Sequence, residues 1–437
     1  HTTYGWSLVL ALSPIQSLGW LSIIRLGFVQ TSIGAIVVMT TSTLNRIMVV
    51  ELALPAILPG LLVAFHYFVQ VIRPRMGFAS DQGLYKTPWI LGGIIVLGLG
   101  GIGAAIGTVM MAESVLQGII VSFFAFLMIG IGVSMSGTSL LALLAKSVDD
   151  QKRAAAATIV WLMMIFGFAV TSILIGKFLD PYSPDKVIQI AIVVAIIGFI
   201  VTYLALLQLE KGIEVIPPTK VISNPLTFTQ SFHEMWNDLD IRQFTIFIFI
   251  SMLAFSSQDL IMEPFAGLVF DYTVGQTTSL SGLQHSGVLS GMLLVAFCGS
   301  SRLRKYFGSL KSWIFYGCLA SALAMMGLAI GAFVGKPWPL DMNVFLLGLA
   351  NGTFSIAAIG SMMRLAVADG LGKEGVRIGL WGGAQAIAFG LGGLLGASVS
   401  DLARLFMSET ANAYTLVFAL ESLLFLYSAK LAASIRR

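Results

Sequence analysis

The chain has 437 residues, 57% of them hydrophobic and 11% charged, against roughly 25% charged in soluble domains. With a mean hydropathy of +0.91, this composition excludes a soluble globular protein, and no nucleic-acid partner is expected. Repeated apolar runs of roughly 20 residues, each long enough to cross a hydrocarbon core as a helix, instead describe an all-α membrane protein that crosses the bilayer many times.

Taken in chain order, residues 1–26 form an apolar stretch with Tyr4, Trp6, Trp20 and Arg25, interrupted by Pro14. It reads as an amphipathic segment lying in the membrane interface. The chain begins at His1 with neither a methionine nor a signal pattern, so its true start is expected upstream. Twelve spans follow, at about 27–50, 53–72, 88–110, 115–142, 153–178, 187–208, 242–264, 278–300, 312–334, 341–365, 377–400 and 411–430. A polar connection at 209–241, with Glu210, Lys211, Gly212, Pro217 and Pro218, divides the chain into a 27–208 half and a 242–437 half. Of the 25 Lys and Arg residues, all but Arg46, Lys177, Lys186, Lys336 and Arg404 fall on the side shared by the termini. The positive-inside rule makes that side cytoplasmic.

Two six-helix halves separated by a polar linker resemble the layout of major facilitator transporters, in which a site lies near the midplane between the halves. In the loop between spans 2 and 3, Gly77, Asp81 and Lys86 resemble that superfamily's cytoplasmic signature, with Gln82 where an Arg is usual. An ordinary loop with an Asp capping span 3 fits the same residues. The second-half counterpart keeps Arg302, Arg304 and Lys305 but lacks the Asp.

Gly98, Gly100 and Gly103 match a dinucleotide fingerprint inside an unbroken apolar run, where no strand precedes them, so the match is accidental. Small residues four apart, such as Gly103 with Gly107, Gly379 with Gly383 and Gly392 with Gly396, mark close helix approach instead. Cys298 and Cys318 sit in apolar runs as packing residues, and no Cys or His cluster suggests a protein-bound metal cluster.

Ionisable groups at membrane depth are costly and usually functional. Asn45, Arg46 and Glu51 in span 1 correspond to Gln258, Asp259 and Glu263 in span 7, each set followed by a proline, Pro55 or Pro264. Pseudo-symmetry predicts that Arg46 and Asp259 meet across the cleft as an ion pair, unless Arg46 is satisfied within its own half by Glu51. Glu421 in span 12 is a further acid at depth, and Arg364 is expected to snorkel to the surface. His66, in Phe65-His66-Tyr67-Phe68, fits either an axial ligand to the magnesium of a chlorin or a hydrogen-bonded helix-contact histidine. His285 in span 8 is similarly placed.

The runs Thr43 to Leu52, His66 to Asp81 and Gln258 to Phe265 resemble the bacteriochlorophyll delivery branch of the major facilitator superfamily, the PucC and LhaA type. The similarity runs from about Arg25 onward, and Gly77-Phe78-Ala79 fits the LhaA-like group better. The resemblance implies a non-enzymatic assembly factor of the bacterial inner or intracytoplasmic membrane that binds bacteriochlorophyll or chlorophyll and delivers it to light-harvesting antenna polypeptides. His66 would then be the ligand, with Phe65, Tyr67 and Phe68 flanking the macrocycle. Membrane lipids, bacteriochlorophyll synthase and a reaction-centre antenna complex are the other expected partners. Two rivals stay open: a secondary transporter of an amphiphile or small solute, and a structural subunit of a photosynthetic complex.

Overall fold

The computed structural model describes residues 18–73, 76, 85–148, 150–210, 236–298, 309–367 and 374–434. Among them the chain is all helical, with 11 helices long and apolar enough to cross a membrane and one shorter apolar helix. In order these are α1 (Trp20–Glu51), the short α2 (Ile57–Ile72), α3 (Thr87–Met110), α4 (Val115–Ser147), α5 (Asp150–Leu179) and α6 (Pro184–Leu206). After the linker come α7 (Leu239–Phe270), α8 (Val274–Cys298), α9 (Leu310–Val334), α10 (Leu340–Val367), α11 (Glu374–Phe406) and α12 (Thr410–Ser434). Each coincides with a span read from hydropathy. The first begins at Trp20, so the C-terminal part of the expected interfacial segment belongs to the first crossing instead.

Packing repeats between the halves. The pairs α1 with α5, α1 with α6, α2 with α4, α3 with α4 and α3 with α6 recur as α7 with α11, α7 with α12, α8 with α10, α9 with α10 and α9 with α12. Each half has its own apolar core. Between the halves the main seams are α5 on α8 and α2 on α11, which the same pseudo-symmetry exchanges. Helices α7 and α10 are central, each with 72% of its apolar window buried, whereas α6 has 22% and lies at the periphery.

Lipid tails are as apolar as leucine, so helices associate here by close packing rather than by a hydrophobic drive. The contact of α8 with α10 shows how. Gly287 and Gly291 on α8 face the backbone at Phe345 and Leu349, and Gly348 and Gly352 on α10 face the carbonyls of Gln284 and Val288. A Cβ at any of the four would overlap main-chain atoms, so the two backbones touch only because all four positions lack one. Of the pairs singled out in the sequence, Gly103 and Gly107 face Ala125 and Ser122 of α4, and Gly392 and Gly396 face Ser256 and Ser257 of α7.

The membrane ends are closed by borrowed caps. The first backbone amides of α3, at Lys86 and Thr87, are taken by the Glu210 carboxylate at 2.8 Å each. That acid follows the end of α6; of the expected loop signature, Lys86 lies at this cap, whereas Gly77 and Asp81 lie outside the described residues. Arg25 in turn donates to the carbonyls of Ala205 and Leu207 at the end of α6. Both contacts follow helix polarity, an anion at an amino end and a cation at a carboxyl end.

Replacing Gly352 with Ala should cost about 1–3 kcal/mol, because rigid backbone must move to admit the methyl group. Gly383, which has nothing within 4 Å, should accept Ala without effect. Thermal melting of the two variants in detergent checks the contrast.

Candidate functional site

Helices α1 and α7, which the pseudo-symmetry exchanges, both lose regular hydrogen bonding partway along, and the polar residues predicted from sequence lie at these irregularities. In α1, π-helical turns at Met39–Thr43 and Ile47–Glu51 flank Leu44–Arg46. Such wide turns are rare and concentrate at functional sites. In α7 the helix stops at Ser257 and resumes at Met262. Pro264 has no N–H to give the carbonyl four residues back, that of Leu260. The orphaned Leu260 oxygen accepts instead from Asn45 Nδ2 at 2.7 Å, across the boundary between the halves.

Arg46 does not pair with Asp259. Its Nη1 meets Glu51 Oε1 at 2.5 Å, and its Nη2 donates to the Tyr272 carbonyl at 3.0 Å. The side chain is 3% exposed, that of Glu51 35%. The guanidinium lies flat on Gly267 of α7, where a Cβ would stand 2.9 Å from Nη2. The pairing of residues five apart has a local cause: a π turn closes i to i+5, which brings Arg46 and Glu51 onto one face. Beside Arg46, the Glu263 carboxylate accepts the Ser42 hydroxyl and lies next to Thr277 and Thr278 of α8. Thr278 reaches Thr43 at 3.3 Å.

Two carboxylates that the sequence reading left unremarked complete this end. Asp401, near the end of α11, accepts from the backbone amides of Ala56 and Ile57 at 3.0 and 2.7 Å, capping α2 of the other half. Asp180, just past the end of α5, accepts from Thr273 Oγ1 at 2.6 Å and from the Gly275 amide at 3.2 Å, capping α8. Since pseudo-symmetry exchanges α5 with α11 and α2 with α8, each half caps the other by the same device. An acid at the far end of each seam helix was the available signal. The cross-half hydrogen bonds made by Ser42, Asn45, Arg46, Thr43, Asp401 and Asp180 all lie toward the loops opposite the termini.

The aromatic group around His66 is dispersed. His66 is 1% exposed, and its Nδ1 donates to the Val63 carbonyl at 2.5 Å. That tautomer leaves the Nε2 lone pair for a ligand, but Tyr67 and Phe126 close around the ring, with centroids 4.1 and 6.3 Å away. A chlorin does not fit on His66 in this arrangement. Nor do the flanking residues converge, because consecutive helix positions face different directions. Phe65 stacks on Phe123 of α4 at 4.5 Å, Tyr67 on Phe389 of α11 at 5.9 Å, and Phe68 is 73% exposed. His285 sits on the other seam, its Nδ1 bonded to the Ser281 carbonyl and its ring edge-on to Phe168 of α5. Among the described residues no group of three His, Cys, Asp or Glu could hold a metal ion.

These observations define a multi-pass membrane protein with the fold of the major facilitator transporters. Solved structures agree: a variant of the nucleoside transporter NupG aligns with TM-score 0.67 and 15% identity, covering 95% of this chain and 100% of that one. The peptide transporter POT in complex with sulfate aligns with TM-score 0.68 and 14% identity, covering 96% of each. The family model described as PUCC protein matches residues 43–437, and the chain belongs to the PucC protein family. It is 48% identical over 421 residues to the bacteriochlorophyll synthase 44.5 kDa chain of Rhodobacter capsulatus, covering 96% of each. It is 27% identical over 425 residues to Protein PucC of Rhodobacter capsulatus, covering 92% of this chain and 89% of that one.

Two predictions concern the sealed end. Glu51→Gln leaves a buried guanidinium without its carboxylate and should cost about 3 kcal/mol. Arg46→Met should cost less, because the half-exposed Glu51 left behind can hydrate. The double variant should regain part of the Glu51→Gln loss, and melting the three side by side in detergent reads the order. In the α7–α8 loop, the Tyr272 hydroxyl donates to Asp341 at 3.0 Å; burial first, then that carboxylate, push its phenol up to about 12. The folded protein thus keeps a proton that the unfolded chain loses near pH 10. Stability should fall as pH climbs from about 10 through about 12, and Tyr272→Phe should flatten that decline in alkaline melting curves.

Proposed function

We propose that this protein is an assembly factor that takes up bacteriochlorophyll or chlorophyll in the membrane and hands it to light-harvesting antenna polypeptides. The observation that carries this reading is the 48% identity, over 96% of both chains, to a relative named for bacteriochlorophyll synthase, within a family whose other relatives include proteins named PucC. It acts beside enzymes rather than as one, with bacteriochlorophyll synthase as a partner that supplies the pigment and a reaction-centre antenna complex as a destination. The membrane is the bacterial inner or intracytoplasmic membrane, with both termini cytoplasmic, a reading the distribution of basic residues supports.

The pigment is cargo, a flat macrocycle with a hydrocarbon tail, and it is expected to approach from the lipid. On the lipid side, Phe65 and Phe123 stack, Phe124 meets Phe123 edge-on at 5.7 Å, and Phe123, Phe124 and Phe68 are 43%, 58% and 73% exposed. This aromatic ledge on α2 and α4 offers a macrocycle face-on contact of the kind aromatic pairs favour. Because His66 lies enclosed behind it, no axial ligation by His66 is invoked.

A second reading, a secondary transporter of an amphiphile, is supported by the set of cross-half hydrogen bonds at the end opposite the termini, which a bundle that alternates its access would make and break.

Near-infrared absorbance of the protein purified in mild detergent from a pigment-producing host separates the two readings. Pigment co-eluting with the wild type, lost in Phe68→Ala/Phe124→Ala and kept in His66→Phe, is the expected result. A colourless wild type that takes up solute into vesicles would overturn delivery, and pigment lost in His66→Phe would restore the ligand role.

A further inference from the structure

Glu421 lies midway along α12, is 4% exposed, and has no hydrogen-bond partner on either carboxyl oxygen. It faces the interruption in α7, where it interacts electrostatically with Asp259 and lies near Ser257. Gln258, beside Asp259, is 0% exposed, and both of its amide atoms are without partners. Asp259 is only partly buried and has no ion pair among the described residues. Two carboxyl groups thus share a break whose amide is also unsatisfied, and Asp259 is the more exposed residue of the two.

The surrounding cations are committed elsewhere. Arg46 is held by Glu51 and the Tyr272 carbonyl. On α11, Arg404 and Asp401 lie with Tyr414, seven residues before Glu421 and so roughly 10 Å along α12 toward the sealed end. Lys430, on α12 itself, is exposed. The buried titratable group of α9 is the Cys318 thiol, and Glu263 of α7 is taken by Ser42. Burying a second negative charge against the first, with no counter-ion and only the Ser257 hydroxyl close by, is strongly unfavourable, and a proton on one carboxyl removes that conflict.

We propose that Glu421 and Asp259 form a proton-binding site in which Glu421 carries the proton in this arrangement of the halves and Asp259 stands on its route to solvent. Loading places the proton on a Glu421 carboxyl oxygen, and release returns it past Asp259 to water. Asp259 also interacts with Tyr67 of α2, whose ring stacks on Phe389 of α11. The site therefore reaches the seam between the halves, and their separation changes its surroundings. The inference stands whatever the protein carries.

Infrared spectroscopy of the full chain in detergent at neutral pH tests it. Wild type minus Glu421→Gln should show a carboxylic-acid carbonyl band that shifts in heavy water, whereas exposed Glu113→Gln should give a flat difference. Asp259→Asn should keep the band but slow hydrogen–deuterium exchange into it several-fold. A flat difference for Glu421→Gln overturns the site, as does a wild-type spectrum with no exchangeable acid band. A band that sodium ions abolish at constant pH would mean a metal cation binds there instead, which also overturns it. Should Glu421→Gln fail to fold on gel filtration, unchanged exchange in Asp259→Asn overturns the route.

Discussion

Inside hydrocarbon there is no water to receive a stranded backbone group, so a helix can be interrupted only where protein supplies the missing partner. This constraint organises the molecule. Pro264 strands the Leu260 carbonyl, and the amide of Asn45 answers it from the opposite half. The amino end of α2 begins without a side-chain cap of its own and receives Asp401, and that of α8, capped locally by Thr273 and Gln276, is tied down further by Asp180. In each case the irregular backbone of one half is completed by a side chain of the other, so the interruptions are also what join the halves.

How much of this was legible in the sequence depends on the range of the signal. Bilayer crossings are local and long, and hydropathy located all twelve, the short α2 among them. The division at the polar linker was equally plain, and the repeated packing of α1–α6 and α7–α12 follows from it. The membership of Asn45, Arg46, Glu51 and Glu263 in one polar junction was also readable, because charge at membrane depth is rare enough to stand out.

The pairing within that junction was not readable, for a physical reason. Pairing by symmetry assumes regular helices, on which residues five apart point in different directions. The π turn at Ile47–Glu51 brings Glu51 to Arg46 and satisfies the guanidinium locally, leaving Asp259 without that counter-ion, within electrostatic reach of Glu421 and Tyr67. Nothing in composition announces such a turn. The same limit applies to Phe65, His66, Tyr67 and Phe68: adjacency in sequence suggested one pocket, and helix geometry sent the four to a neighbouring helix, the interior, the seam and the lipid.

The exchanged caps at Asp180 and Asp401 have a mechanical corollary. Because each acid anchors the start of a helix belonging to the other bundle, and the two anchors are related by the molecular pseudo-dyad, a rocking motion that frees one strains its twin in the same sense. Any parting of the bundles at that end must break both contacts.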